Sequence, residues 1–209
     1  MNAEAQLSKG LGDLGLTVSL EAQHSLLQYL ALLAKWNRTY NLTAIREPSR
    51  LVTHHVLDSL AVLPFLEGTS VVDVGSGAGL PGIPLAVARP EWRVVLLDSS
   101  HKKTAFLRQA VLELKLEGTE VVTERAERWR PAQLFDIAIS RAFSDLPGFV
   151  SAARHLCRVG GSLAAMKGVH PDEELAQLGE DARIRKVVDL HVPGVRASRH
   201  LVLLEPGCT

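Results

Sequence analysis

Residues 71–82 read VVDVGSGAGLPG, and no other stretch restricts the fold of this chain so strongly. Three β-branched residues, Val71, Val72 and Val74, predict a buried strand. Gly75, Gly77, Gly79 and Gly82 come where that strand must turn into a helix. Glycine at such a turn is a backbone choice: with no Cβ in the way, main-chain N–H groups and a helix N-terminus can approach a ligand closely.

Two patterns describe the loop. Gly77, Gly79 and Gly82 make the GxGxxG of dinucleotide sites, whereas Asp73, Gly75, Gly77 and Gly79 make the DxGxGxG of S-adenosylmethionine-dependent methyltransferases. The second accounts for more residues, because a carboxylate two places before the first glycine suits a cofactor with an ammonium and a sulfonium and would repel a pyrophosphate. Residues 92–97 (WRVVLL) predict the next strand. Asp98 ends it about twenty residues beyond the loop, where an acidic side chain accepts hydrogen bonds from ribose hydroxyls. Both cofactor classes use such a residue, so Asp98 does not choose between them.

The rest of the chain narrows the choice. Its 209 residues allow one domain with a sizeable core and an N-terminal appendage. Ser19 is a candidate N-cap for a helix carrying Leu27, Leu30, Ala31 and Ala34, which ends near Trp36. A second helix is expected from Pro48 through Val52, Val56, Leu60 and Leu63. Residues 1–66 thus form a helical extension, and residues 67–209 alternate strand and helix in the manner of a doubly wound α/β domain. A helix over 100–116 offers Ala105, Leu107, Val111, Leu112 and Leu114 to the core, and further strands fall at 120–123, 135–140 and 161–166. Segments 186–192 and 199–204, joined by Pro193 and Gly194, predict an antiparallel C-terminal hairpin. A seven-stranded Rossmann-like sheet closed by such a hairpin is the class I methyltransferase plan, and a dinucleotide domain would not end this way.

Composition excludes some functions. With 46% hydrophobic and 22% charged residues the chain reads as a soluble globular protein. Without an apolar run of roughly twenty residues or a signal-peptide core, a cytoplasmic location and no membrane contact are expected. Cys157 and Cys208 lack ligand spacing, which argues against a disulfide framework or zinc site. Lys and Arg (23) balance Asp and Glu (23), but not locally. Lys35, Arg38, Arg46 and Arg50 face only Glu47 over 35–55, and Arg183, Arg185, Lys186, Arg196 and Arg199 face only Asp189 over 183–200. Such clusters are candidate phosphate contacts.

The chain closely resembles the bacterial 16S ribosomal RNA (guanine-N7)-methyltransferases, the small subunit methyltransferase G or glucose-inhibited division protein B family. The resemblance rests on WNRTYNLTAI (36–45), HHVLDSL (54–60), DVGSGAGLPGIPLA (73–86), LLDS (96–99), ISRAF (139–143), MKG (166–168) and RHLVLL (199–204). It implies S-adenosylmethionine as cofactor, S-adenosylhomocysteine as product, and a guanosine in the decoding-site loop of 16S ribosomal RNA as substrate. Cofactor contacts are implied at Gly75, Leu80, Ala126, Glu127 and Arg141, with Asp98 at the ribose, beside Asp73, Gly77 and Gly79 of the motif. Charge, stacking capacity and the matched segments together mark Arg38, Tyr40, Asn41, His54, Lys167, Arg196, Arg199 and His200 for the RNA. Family members commonly carry a basic tail after the last strand; 205–209 reads EPGCT here, so the resemblance carries no RNA contact over to that segment. The protein is expected to act as a monomer on ribosomal RNA, free or within the small subunit or its precursor.

The chemistry agrees with what the motifs omit. Guanine N7 has a lone pair and no proton, so methyl transfer to it needs alignment and no general base. Arg141, Phe143 and Lys167, just past predicted strands, are the candidates for that alignment, and Phe143, Tyr40 and Trp36 for stacking on an extruded base. His54, His55 and Asp58 lack a further ligand, so no metal is expected. A methyltransferase for a small molecule stays open on residues alone and would have no use for the basic segments.

Overall fold

The computed structural model describes residues 2–141, 143–179 and 181–207, with only the backbone of Pro48. One seven-stranded sheet runs in the order β3-β2-β1-β4-β5-β7-β6. Strands β1 (Ser70–Val74), β2 (Arg93–Asp98), β3 (Thr119–Thr123), β4 (Phe135–Arg141) and β5 (Cys157–Lys167) are parallel to one another. β7 (His200–Pro206) lies antiparallel between β5 and β6 (Ala182–Asp189), closing the sheet as its sequence predicts. The strand order reverses between β1 and β4, and the carboxyl ends of those two strands open the crevice where α/β sheets bind ligands.

Alternation along the strands decides what each face receives. Val71, Val94, Leu96, Ile137 and Ile139 point to one face and join a core with the N-terminal helices. Val72, Val74, Val95, Leu97 and Ala138 point to the other and pack on α7 (Leu146–Ala153). By the same parity Asp73, Asp98 and Arg141 fall on the N-terminal side.

That side is built by α1 (Ala3–Asp13), α2 (Leu20–Tyr40), α5 (Gly82–Ala88) and α6 (His101–Glu113). Ser19 does cap α2, its Oγ accepting from Ala22 N at 3.1 Å. The buried stripe of α2, however, is Leu26, Tyr29, Leu30, Leu33 and Asn37, with Ala31 and Ala34 exposed. Leucines crowd this helix on two overlapping stripes, and the large Tyr29 ring settles which faces inward. In α6 the core residues are Thr104, Phe106, Leu107 and Ala110; Ala105 is exposed and Leu112 is 73% exposed, because Phe106 takes the inward position.

The stretch expected as one helix from Pro48 is three. α3 (Pro48–Leu51) passes into a π-helical turn (Val52–Leu57) and then α4 (Asp58–Leu60). Single π-turns of this kind concentrate at functional sites. Side chains from 51 to 63 are buried apart from half-buried His54. No helix among the described residues is long and apolar enough to cross a membrane.

Candidate active site at the switch point

The glycine loop leaves β1 and is pinned at once to β2, since Gly75 N and Ser76 N both donate to the Leu97 carbonyl, at 2.8 and 3.0 Å. Gly75, Gly77 and Gly79 take φ of 71°, 60° and 86°, a left-handed region that side chains disfavour. They do so for two different reasons. A Cβ on Gly75 would meet nothing within 4 Å, and one on Gly77 only the Gly75 carbonyl at 3.7 Å. A Cβ on Gly79 would strike Ile83, and one on Gly82 would strike Leu96 and Asp73. The first pair leaves an open cradle of backbone; the second lets α5 pack onto β1 and β2.

Asp98 stands beside the cradle, 6% exposed. Its Oδ2 accepts from Gly77 N and its Oδ1 from Ser100 N, both at 2.9 Å, and Lys103 Nζ lies 3.5 Å away. Each carboxylate oxygen retains a lone pair. Asp73 does not meet the expectation that it faces a cationic cofactor. It is fully buried beneath the loop, where Oδ2 accepts from Ser76 Oγ at 2.6 Å and Gly82 N at 2.9 Å. Burial pushes its carboxyl up to about 6 against the pull of those hydrogen bonds. Asp73 therefore braces the loop from inside. Tyr29 braces it from α2, donating to the Ala78 carbonyl at 2.8 Å; complete burial raises its phenol further above the ordinary range. Leu80 is 3% exposed and packs in the core. Ala126 is half-buried and Glu127 exposed on the connection after β3, at the same edge of the sheet.

At the carboxyl ends of β4 and β5 lies a cleft of about 710 Å³, lined by His54, His55 and Asp58 of the π-turn region, Arg141 ending β4 and Phe143 beyond it, Lys167 ending β5 and residues 168–171 beyond it, and Arg199 with His200 at β7. Arg141 Nη1 donates to the His54 carbonyl at 3.0 Å and to Asp58 Oδ2 at 3.2 Å; Arg199 Nε donates to Asp58 Oδ1 at 2.8 Å. His55 bridges its Nε2 to Thr43 Oγ1 at 3.0 Å and its Nδ1 to the His54 carbonyl at 3.1 Å. Burial, reinforced by Arg141, lowers its pKa to about 4, so it is neutral at pH 7. His54 is also lowered, by burial and then by Arg50 and Arg199. Lys167 is paired with Glu174 at 2.7 Å, and Phe143 leans on Phe149 with centroids 5.5 Å apart. His200 Nε2 meets Asp189 Oδ1 at 3.0 Å, and His170 packs edge-on against its ring.

The structure thus gathers His54, Arg141, Phe143, Lys167, Arg199 and His200 in one cleft. It separates the others. Trp36 rests on Phe106 at 5.6 Å and packs against the core, and Tyr40 stacks on Trp36 at 5.1 Å from the exposed side, so neither ring lines the cleft. Arg38 lines a smaller cavity with Arg46, Asn41 caps α2 and accepts from Arg46 at 3.1 Å, and Arg196 is exposed on the β6–β7 connection. Sequence reasoning weighed Asp58 only as a metal ligand and passed over Thr43, His170 and Glu174. The one available signal was a carboxylate inside the apolar run 56–63.

Strand order, glycine cradle and acidic end of β2 together define a class I S-adenosylmethionine-dependent methyltransferase fold. Solved structures agree at the level of fold: a SAM-dependent methyltransferase from Aquifex aeolicus matches with a TM-score of 0.59 at 21% identity, over 83% of this chain and 98% of that one. A mutant of MtNAS in complex with S-adenosylmethionine also scores 0.59, at 15% identity, over 89% of this chain and 76% of its own. Sequence is more specific. The family model for rRNA small subunit methyltransferase G matches residues 22–202, and the chain belongs to that family. Its relatives include the ribosomal RNA small subunit methyltransferases G of Laribacter hongkongensis, 55% identical over 98% of this chain and 99% of that protein, and of Nitrosospira multiformis, 57% identical over 98% of both.

Proposed function

We propose that this chain transfers the methyl group of S-adenosylmethionine to N7 of a guanosine in the decoding-site loop of 16S ribosomal RNA. The observation that carries the reading is the open backbone cradle at Gly75 and Gly77 beside a cleft floored by Arg141 and Arg199, in a chain whose near full-length relatives bear the methyltransferase G name. When bound, S-adenosylmethionine supplies a methyl on cationic sulfur: the N7–carbon bond forms as the sulfur–carbon bond breaks, leaving S-adenosylhomocysteine.

The residues present fit that cofactor. Gly75 and Gly77 admit its amino-acid end to the backbone, the free lone pairs of Asp98 accept from the ribose, and Ala126 with Glu127 flank the adenine. Arg141, at the end of β4, faces the cofactor, Arg199 attracts the RNA backbone, and Phe143 offers a ring edge to the base. N7 carries no proton, so the cleft has only to align the reactants, which supplies on the order of 7–11 kcal/mol. The neutral His55 and the Glu174-paired Lys167 are consistent with a site that moves no proton.

Two measurements test the reading. Calorimetric titration with S-adenosylhomocysteine is expected to show saturable binding that Gly77→Asp abolishes; unchanged affinity in that variant would put the cofactor elsewhere. Labelled methyl from S-adenosylmethionine is expected to enter small subunits stripped of this modification, and absence of incorporation would remove ribosomal RNA as substrate.

A further inference from the structure

One carboxylate in the cleft is only half used. The loop after β5 turns into a short helix, α8 (Asp172–Ala176), whose Glu174 reaches back to the end of β5. Its Oε2 takes Lys167 Nζ at 2.7 Å and Leu146 N, the first amide of α7, also at 2.7 Å. Two donors fill the two lone pairs of that oxygen. Among the described residues no hydrogen bond engages Oε1, and the side chain, 27% exposed, lines the cleft. Lys167 is the more buried partner, 11% exposed, and gives a second N–H to the Phe143 carbonyl at 3.4 Å, which leaves a third.

Donor and acceptor thus stand side by side on one wall of the cleft, each held in place by the other and by backbone. The free oxygen is anionic, so this wall disfavours a phosphate and suits a neutral edge that offers both polarities. Guanine has such an edge: O6 accepts, while N1–H and the N2 amino group donate. Adenine presents the reverse, a donor at N6 and an acceptor at N1. Lys167 Nζ matches O6, and the two lone pairs of Glu174 Oε1 match N1–H and N2–H. Enzymes that extrude a base read it at this Watson–Crick edge. N7 lies on the other ring from N1 and N2, so a guanine held by that edge at the end of β5 turns N7 toward the crevice between β1 and β4. Methylation at N7 makes the ring cationic and N1–H more acidic. A fixed carboxylate at N1–H therefore binds the product-like state more strongly than the starting base.

We propose that Glu174 and Lys167 read the Watson–Crick edge of the target base and make the site specific for guanine, with Glu174 also stabilising the positive charge that develops on the ring. This rests on the RNA-methyltransferase reading above and adds to it the residues that select the base.

Small subunits reconstituted around 16S ribosomal RNA with guanosine or inosine at the target position test this. Inosine keeps N7, O6 and N1–H and lacks only the N2 amino group. The parent is expected to methylate inosine with kcat/KM lowered about tenfold or more. In Glu174→Gln the amide oxygen stays with Lys167 and Leu146 N, so an NH2 group replaces Oε1 and meets N1–H and N2–H as donor against donor. This variant should lower kcat/KM for guanosine about 10–100-fold, keep S-adenosylhomocysteine affinity within about threefold, and narrow the guanosine-to-inosine ratio to about threefold or less. Glu174→Asp keeps the charge beside Lys167 and withdraws the free oxygen by one methylene; it should narrow the ratio at a melting temperature near the parent's. A purely structural Glu174 gives another pattern: both substrates slow equally and the ratio stays as in the parent. That pattern in either folded variant, or a parent ratio near one, would overturn the proposal. A parent inactive on guanosine subunits would count instead against the reaction itself.

Discussion

Two buried groups with opposite proton linkage sit within the site. Asp73 titrates at about 6 when folded against 3.8 in a free carboxyl, so the folded state takes up its proton first as pH drops, and its ionisation weakens the fold as pH rises from about 4 to 6. That ionisation costs roughly 3 kcal/mol at neutral pH, at about 1.4 kcal/mol per unit. His55 titrates at about 4 against 6.5, so the unfolded chain takes up its proton first and stability rises with pH between those values. The two slopes oppose each other in the parent. Relative to the parent, Asp73→Asn is expected to make thermal stability rise more steeply with pH across about 4–6.5, and His55→Gln to make it rise less steeply. Melts across that window check both, and variant profiles parallel to the parent would reassign the titrating groups. Tyr29→Phe removes the hydroxyl that holds the Ala78 carbonyl. About 1 kcal/mol of stability should be lost, with weaker S-adenosylhomocysteine binding, as read by melts and calorimetry.

At the scale of elements, the glycine loop separates into parts that bind and parts that pack. Gly75→Ala introduces a Cβ into open space, so the expected result is a loss of cofactor affinity with a stability loss of about 1–2 kcal/mol from the left-handed backbone. Gly82→Ala drives a Cβ into Leu96 and Asp73, and the expected result is a larger fall in melting temperature. Equal effects of the two on both readouts would contradict the division. The strands of this domain were legible in the sequence because buried parallel strands read as short apolar runs, and the hairpin because Pro193 and Gly194 interrupt two of them. The phase of α2 was not, since leucines at 26, 27, 30, 32 and 33 support two stripes and only the position of Tyr29 against the loop decides. The π-turn was invisible because 51–63 is buried on nearly every side, polar residues included, and its extra residue per turn leaves no periodic trace. Asp73 was recognisable as part of a motif, but its inward orientation follows from strand parity and from Gly82 N closing over it. The pairing of Asp58 could not be read locally: its arginines lie 83 and 141 residues further along the chain.

Over the whole molecule, the N-terminal helices and the sheet share one continuous core, and the site draws on both. Tyr29 of α2 supports the cofactor loop, and the π-turn and the first residue of α4 supply the carbonyl and carboxylate that Arg141 holds. Cofactor cradle and cationic cleft are thereby set side by side at the carboxyl ends of β1 and β4, the geometry required to bring a sulfonium methyl to a nucleobase. The balanced overall charge means that attraction to RNA must come from local basic regions, and RNA binding should weaken as salt rises in proportion to the phosphates met there. The most direct measurement is nucleoside analysis of 16S ribosomal RNA after incubation of unmethylated small subunits with the protein and S-adenosylmethionine. The account predicts 7-methylguanosine as the new nucleoside. A methyl group on an exocyclic amine, a ribose or a pyrimidine, or RNA left unmodified by a protein that binds S-adenosylhomocysteine, would contradict it.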